Sequence, residues 1–195
     1  MKRIWLYVIG AILVVAAAIG ILVAKGNSRD HTDKNSSSAK NSPAAASKQT
    51  FAKRQACVIF GLADAKQVLG DSAKGGSNPI YDSPQGGIDV SSCSYTQDQG
   101  ANVPVASRNS ASLLVRAPRA NAGITSNQNQ FSSLKPSDAQ AVAGYGDNAY
   151  WDVQLGQLNI LKNNTWYTLS NGPAAPSART LDQAKQLADI LISRM

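Results

Sequence analysis

Ser132-Ser-Leu-Lys135 sets a hydroxyl and an amine at the Ser-x-x-Lys spacing of a serine nucleophile. No Lys-Thr-Gly or Ser-Asp-Asn element completes that motif, and a Ser and a Lys one turn apart are ordinary in a polar helix. Asp147 and Asp152 are the nearest thing to a carboxylate pair beside aromatic residues. At strand ends such aspartates more often form turns. The chain holds no glutamate, and its single histidine, His31, lies outside the C-terminal part. Ser-His-Asp, Cys-His and histidine-bound zinc chemistry are therefore excluded there. Gly75-Gly76 and Gly86-Gly87 lack the strand and helix flanks of a phosphate loop. The expectation is a protein that is not an enzyme and takes no cofactor and no metal.

Two other groups carry potential chemistry. Cys57 and Cys93 are the only cysteines. An even count in a tethered domain reads as one disulfide on an oxidising, extracytoplasmic side, with two separate buried thiols as the competing reading. No Cys-x-x-Cys spacing suggests a metal. Tyr145, Tyr150 and Trp166 are aromatics near the Gly144-Tyr-Gly-Asp147 turn, a combination suited to flat or sugar-like ligands. Against this stands a purely structural turn, with Asp147 bonding nearby backbone N–H groups and either Trp151 or Tyr150 facing the core.

The elements that would position these groups divide the chain in three. Residues 4–24 contain no charge and are fenced by Lys2-Arg3 and Lys25. As a helix they span about 31 Å, which matches a bilayer core of about 30 Å. Residues 1–25 therefore read as a single transmembrane anchor. A cleaved signal peptide is the alternative, but its apolar region is usually about 7–15 residues long. No cysteine follows the run, which excludes a lipoprotein anchor. Residues 26–52 are rich in Ser, Asn, Ala and Lys and read as a disordered linker spanning roughly 25–30 Å. Residues 53–195 are long enough for one domain with its own core.

Charge is divided in the same way. The net +7 comes from residues 1–54, with nine Lys or Arg against two Asp, whereas residues 55–195 carry ten of each sign. The basic stretch suits anionic headgroups, a polyanionic wall polymer or simple solvation. The neutral domain argues against nucleic acid.

Within the domain, residues 62–69 read as a short helix with Leu62, Ala65, Val68 and Leu69 on one face and Gly70 at its end. Residues 71–87 read as a loop. Residues 88–96 alternate as a strand with Cys93 inward beside Tyr95, and residues 110–117 form a second strand. A polar helix then runs to Leu134, with Ala122, Ile124 or Thr125, Gln128 and Phe131 facing in. Residues 149–153, 157–162 and 165–170 form a meander with a tight turn at Asn163-Asn164. A final helix over residues 177–194 carries the stripe Leu181, Ala184, Leu187, Ala188 and Leu191. The expected fold is α+β, an antiparallel sheet packed on one face by helices.

The stretch from Cys57 to Gly70, the Ser92-Cys-Ser-Tyr95 segment, the Val142-Ala-Gly-Tyr-Gly-Asp-Asn-Ala-Tyr-Trp151 segment and the terminal Ala/Leu helix occur in that order. In this the chain resembles an uncharacterised family of secreted or lipid-anchored domains on Gram-positive, especially actinobacterial, cell surfaces. The resemblance implies a Cys57–Cys93 disulfide and no known catalytic residues. It covers residues 55–195, and the anchor differs from that of the lipid-anchored members. The function expected is a membrane-anchored, extracytoplasmic binding or interaction module, held in the membrane through residues 4–24. Its partner would be a cell-surface protein or wall polymer. The alternative is a sensor or accessory subunit of a membrane complex, because Ala16 and Gly20 make a small-xxx-small pair.

Overall fold

The computed structural model describes residues 51–77, 79–83, 87–100 and 102–195. The anchor read over residues 4–24 and most of the linker lie outside them. Among the described residues no helix is long and apolar enough to cross a membrane.

Two short helices open the domain, α1 (Ala56–Ile59) and α2 (Leu62–Leu69). The Asp64 carboxylate accepts from the Gly61 N–H at 2.9 Å and closes the first turn of α2, and Gly70 ends the helix at φ 83°. Eight antiparallel strands follow. They are β1 (Ala73–Gly75), β2 (Ile80–Ser83), β3 (Ile88–Gln97), β4 (Asn109–Pro118), β5 (Gln140–Ala141), β6 (Asn148–Asp152), β7 (Gln157–Lys162) and β8 (Thr165–Pro173). Their order is β1-β3-β4-β8-β7-β6-β5, with β2 beside β1 on the outer edge of β3. The stretch expected to be a loop over residues 71–87 thus supplies two short edge strands. Both are too short to show an alternating pattern, β1 running into Gly75-Gly76 and β2 lying between Pro79 and Pro84.

Side chains alternate along each strand, so odd positions of β3, β4 and β8 share one face. Cys93, Tyr95, Leu113, Val115, Tyr167 and Leu169 build the main core there, under α1, α2 and α4 (Leu181–Leu191). Thr180 and Gln183 form a reciprocal capping box at the start of α4, with bonds of 3.3 and 3.0 Å. Its stripe of Ala184, Leu187, Ala188 and Leu191 is buried as the 3.6-residue period requires, whereas Leu62 of α2 is exposed and Asp64 takes an inward place.

The remaining helix overturns the one-face expectation. Helix α3 (Asn121–Ser133) packs on the opposite face, over Tyr150 and Trp166, so the sheet is covered on both sides. Its inward residues are Gly123, Asn127 and Phe131, while Ala122, Thr125 and Gln128 are exposed. The helix is set by a close backbone approach: a Cβ on Gly123 would collide with the Gly87 carbonyl. It is also tied to the β7–β8 turn, since Asn127 Nδ2 donates to the Arg116 and Asn164 carbonyls and Gln128 Nε2 to Asn164 Oδ1. Asn163 and Asn164 take φ of 50° and 62°, the left-handed pair that a two-residue hairpin turn needs.

Cys57 and Cys93 are joined by a disulfide with their Cα atoms 5.0 Å apart, which ties α1 to β3. At the other end of the chain, Arg194 donates two bonds of 2.9 Å to the Asp64 carboxylate. Burial alone would raise the Asp64 pKa, but the Arg194 bonds, the Gly61 N–H and the Arg194 charge outweigh it and hold the carboxyl below its ordinary value. A carboxyl depressed on folding adds stability above its unfolded pKa and loses it as pH falls through the folded one. Urea titrations are therefore expected to show stability falling as pH drops below about 4. Asp64→Asn should flatten that fall by about 1 kcal/mol, a figure kept small because Arg194 is partly solvated.

Candidate functional site

The even-numbered positions of β3, β4 and β8 point away from the main core, and α3 covers only one end of the surface they make. Strand register places these residues in rows. Lys74, Thr96, Ser110 and Gly172 form the first, and Ser94, Ser112 and Ser170 the second. The third holds Ser92, Leu114, Thr168 and Asn159. The fourth, beneath α3, contains Val90, Arg116, Trp166 and Leu161. Ser94 and Thr96 are exposed, Ser92, Ser110, Ser112 and Thr168 are half-buried, and Ser170 and Asn159 are buried, so the accessible hydroxyls lie on β3, β4 and Thr168. The result is a flat patch of hydroxyl groups repeating at the strand spacing of about 4.8 Å. Ser112 and Ser170 share a hydrogen bond of 3.0 Å, and Thr168 Oγ1 donates to Asn159 Oδ1 at 3.0 Å, which orients part of this array.

The patch runs at its uncovered end into a cleft of about 200 Å³ lined by Lys74, Thr96, Asp98, Arg108, Ser110 and neighbouring residues. One wall is an amide network. Gln99 Nε2 and Asn109 Nδ2 both donate to Gln97 Oε1, at 2.9 and 3.0 Å, and the Asn109 N–H donates to Gln99 Oε1 at 3.2 Å. Arg108 Nε is aimed by a 3.2 Å bond to the Val103 carbonyl. Lys74 Nζ lies 2.7 Å from Asp98 Oδ2 and, with the Gly100 N–H and the Arg108 charge, holds that carboxyl below its usual range. A smaller cleft of about 180 Å³ lies where the described chain begins, beside Phe51, Arg54, Ile124 and Thr165.

At the covered end, Arg116 is half-buried with its guanidinium 5.1 Å from the centre of the Trp166 ring. One nitrogen donates to Gln130 Oε1 at 2.7 Å, and burial lowers the pKa of the group. No carboxylate among the described residues lies in ion-pair reach of Arg116 or Arg108.

The aromatics singled out from the sequence do not converge. Tyr150 and Trp166 are 2 % and 8 % exposed, stacked with Phe131 at ring distances of 4.9 and 5.7 Å beneath α3. Tyr145 lies on the other side of the sheet against the main core. Its hydroxyl donates to Asp189 at 2.7 Å, and burial, that bond and the Asp189 charge push its pKa up to about 12. Both Tyr150 and Trp151 are inside, because each of their faces meets helices. Asp147 accepts from the Asn163 N–H at 2.8 Å and Asp152 from the Leu155 N–H at 2.9 Å, so each is committed to a turn. Ser132 bonds back to the Gln128 carbonyl at 3.0 Å, and Lys135 Nζ lies 5.8 Å from the centre of the Tyr150 ring, so each is engaged with a different neighbour. Among the described residues no cluster of His, Cys, Asp or Glu could hold a metal.

Sequence reasoning missed Arg108 and Arg116. The signal was present in the alternation Arg108-x-Ser110-x-Ser112-x-Leu114-x-Arg116, which marks one side of β4 as largely polar, with one cation on it and another just before the strand begins. No family model, no curated protein and no solved structure matches this chain.

Proposed function

We propose that this protein is a membrane-anchored, extracytoplasmic module that binds a hydroxyl-rich surface polymer, without catalysis, through the open face of its sheet. The observation that carries this reading is the row-by-row array of serine and threonine hydroxyls on β3, β4 and β8, continuous with a polar cleft. Hydroxyl groups both donate and accept, so such an array complements a polyol or glycan and has little to offer an apolar partner. The Cys57–Cys93 disulfide supports an oxidising compartment. The uncharged run at residues 4–24 supports a single-pass anchor with the domain outside the cell. The competing role, an accessory subunit working through its membrane helix, uses none of this face.

The test is sedimentation of the full chain, held in lipid nanodiscs, with purified cell-wall polymer. Crowding the face with Ser94→Gln and Ser112→Gln together is expected to weaken binding about tenfold, the loss of one or two well-placed hydrogen bonds. Leu62→Gln on α2, on the far side, should leave it unchanged. Equal binding by all three proteins would remove the open face from consideration.

A further inference from the structure

Resting on the open-face reading, we infer that the polymer is an extended polyanionic polyol, lying along β4 with its anionic groups taken by Arg108 at one end and Arg116 at the other. Eight residues at about 3.4 Å put these two arginines roughly 27 Å apart. Arg108 immediately precedes β4 and lines the same cleft as Thr96 and Ser110, and Arg116 lies on that side of the strand by alternation, with Ser110, Ser112 and Leu114 between them. Among the described residues neither guanidinium is within ion-pair distance of a carboxylate, although the Arg108 charge is felt by Asp98, and each donates to a single acceptor, the Val103 carbonyl or Gln130 Oε1. Both retain further N–H donors, Arg116 Nε being buried with no partner among the described residues, and a half-buried cation with no carboxylate in direct contact favours an incoming anion. The carboxylates around this track are already engaged: Asp98 by Lys74, Asp89 on the neighbouring β3 by Arg119 at 3.5 Å, and Asp152, on the outlying β6, by its turn.

The pattern separates a charged polyol from the obvious rivals. A neutral glycan would leave both arginines unused. A nucleic acid would seek a stacking platform, but Phe131, Tyr150 and Trp166 are shut beneath α3. Phosphate and carboxylate present the same paired oxygens to an arginine fork, so either could supply the charge.

Binding of the full chain in nanodiscs should be measured with poly(glycerol phosphate), polygalacturonate, neutral dextran and single-stranded DNA of matched charge. The expected result is that at least one of the two anionic polyols binds well above dextran and DNA, and the ratio between the two identifies the anion. Arg108→Gln and Arg116→Gln should each weaken that binding about tenfold and reduce its salt dependence, with the double variant close to the product of the two. Oligomers shorter than the arginine spacing should lose the contribution of one site. Because Arg116 also braces α3, Arg116→Lys is included and should restore part of the affinity. Lys185→Gln on α4 serves as the control. Dextran bound as tightly as the anionic polymers, with both arginine variants at wild-type affinity, would overturn the inference and leave the open face standing. DNA bound as tightly as the polyols would overturn the choice of polymer, and no binding to any probe would overturn both readings.

Discussion

Replacing Cys57 and Cys93 together by alanine is expected to lower the unfolding free energy by roughly 4 kcal/mol, the chain-entropy value for a bridge between residues 36 apart. The loss falls on a particular join. Helix α1 has only four residues, too few for a stable isolated helix, so its place against β3 depends on tertiary ties. Ser91 supplies one of these by accepting from the Ala56 N–H at 2.9 Å, and Cys93 supplies the other through the bridge. The bridge also closes the glycine-bearing excursion that carries β1 and β2, which protect the outer edge of β3. Urea unfolding with and without reductant measures the effect. The reduced wild type should match the double variant, and a shift below about 1 kcal/mol would mean that packing alone holds α1. Since small domains have only about 5–15 kcal/mol in total, the bond is a large fraction of what keeps this one folded.

Phe131→Ala is expected to cost about 3–5 kcal/mol, the range for removing a buried aromatic ring. Phe131 is the one large apolar side chain of α3 that is fully buried, filling the space over Tyr150 and Trp166. What remains of that interface is polar: Asn127, Gln128 and Gln130 bonding the β7–β8 turn and Arg116. Without the ring, α3 should loosen before the main core does, because the core lies on the other face. The measurement is tryptophan emission alongside the unfolding curve. Trp166 should become wetter and shift its emission to the red while Trp151, in the main core, stays buried. A cost under 1 kcal/mol with unchanged emission would show that the polar bonds suffice. The variant also bears on binding, since a loosened α3 releases the acceptor that aims Arg116.

The sequence by itself determined the parts whose cause is local. Helix α2 starts and stops where an apolar period and Gly70 say it should, and α4 follows from its stripe. The turn at Asn163-Asn164 follows from the tolerance of asparagine for positive φ. The inward placing of Cys93 beside Tyr95 is a matter of strand alternation, and only one partner existed for the cysteine to find. Tertiary structure decided what depends on distant partners. The face of α3 could not be read from a helix with almost no apolar stripe. Its orientation comes from the Gly87–Gly123 approach and the ring cluster, which join segments far apart in the chain. That choice in turn buried Tyr150 and Trp166, which sequence reading had offered as ligand contacts, and left the rest of the sheet face open. Arg108 and Arg116 were visible as residues, but that neither meets a carboxylate at ion-pair distance among the described residues depends on where Asp98, Gln130 and Trp166 come to lie. Alternation along a strand fixes which side a residue is on, and only the packing of other elements fixes whether that side meets a helix or water.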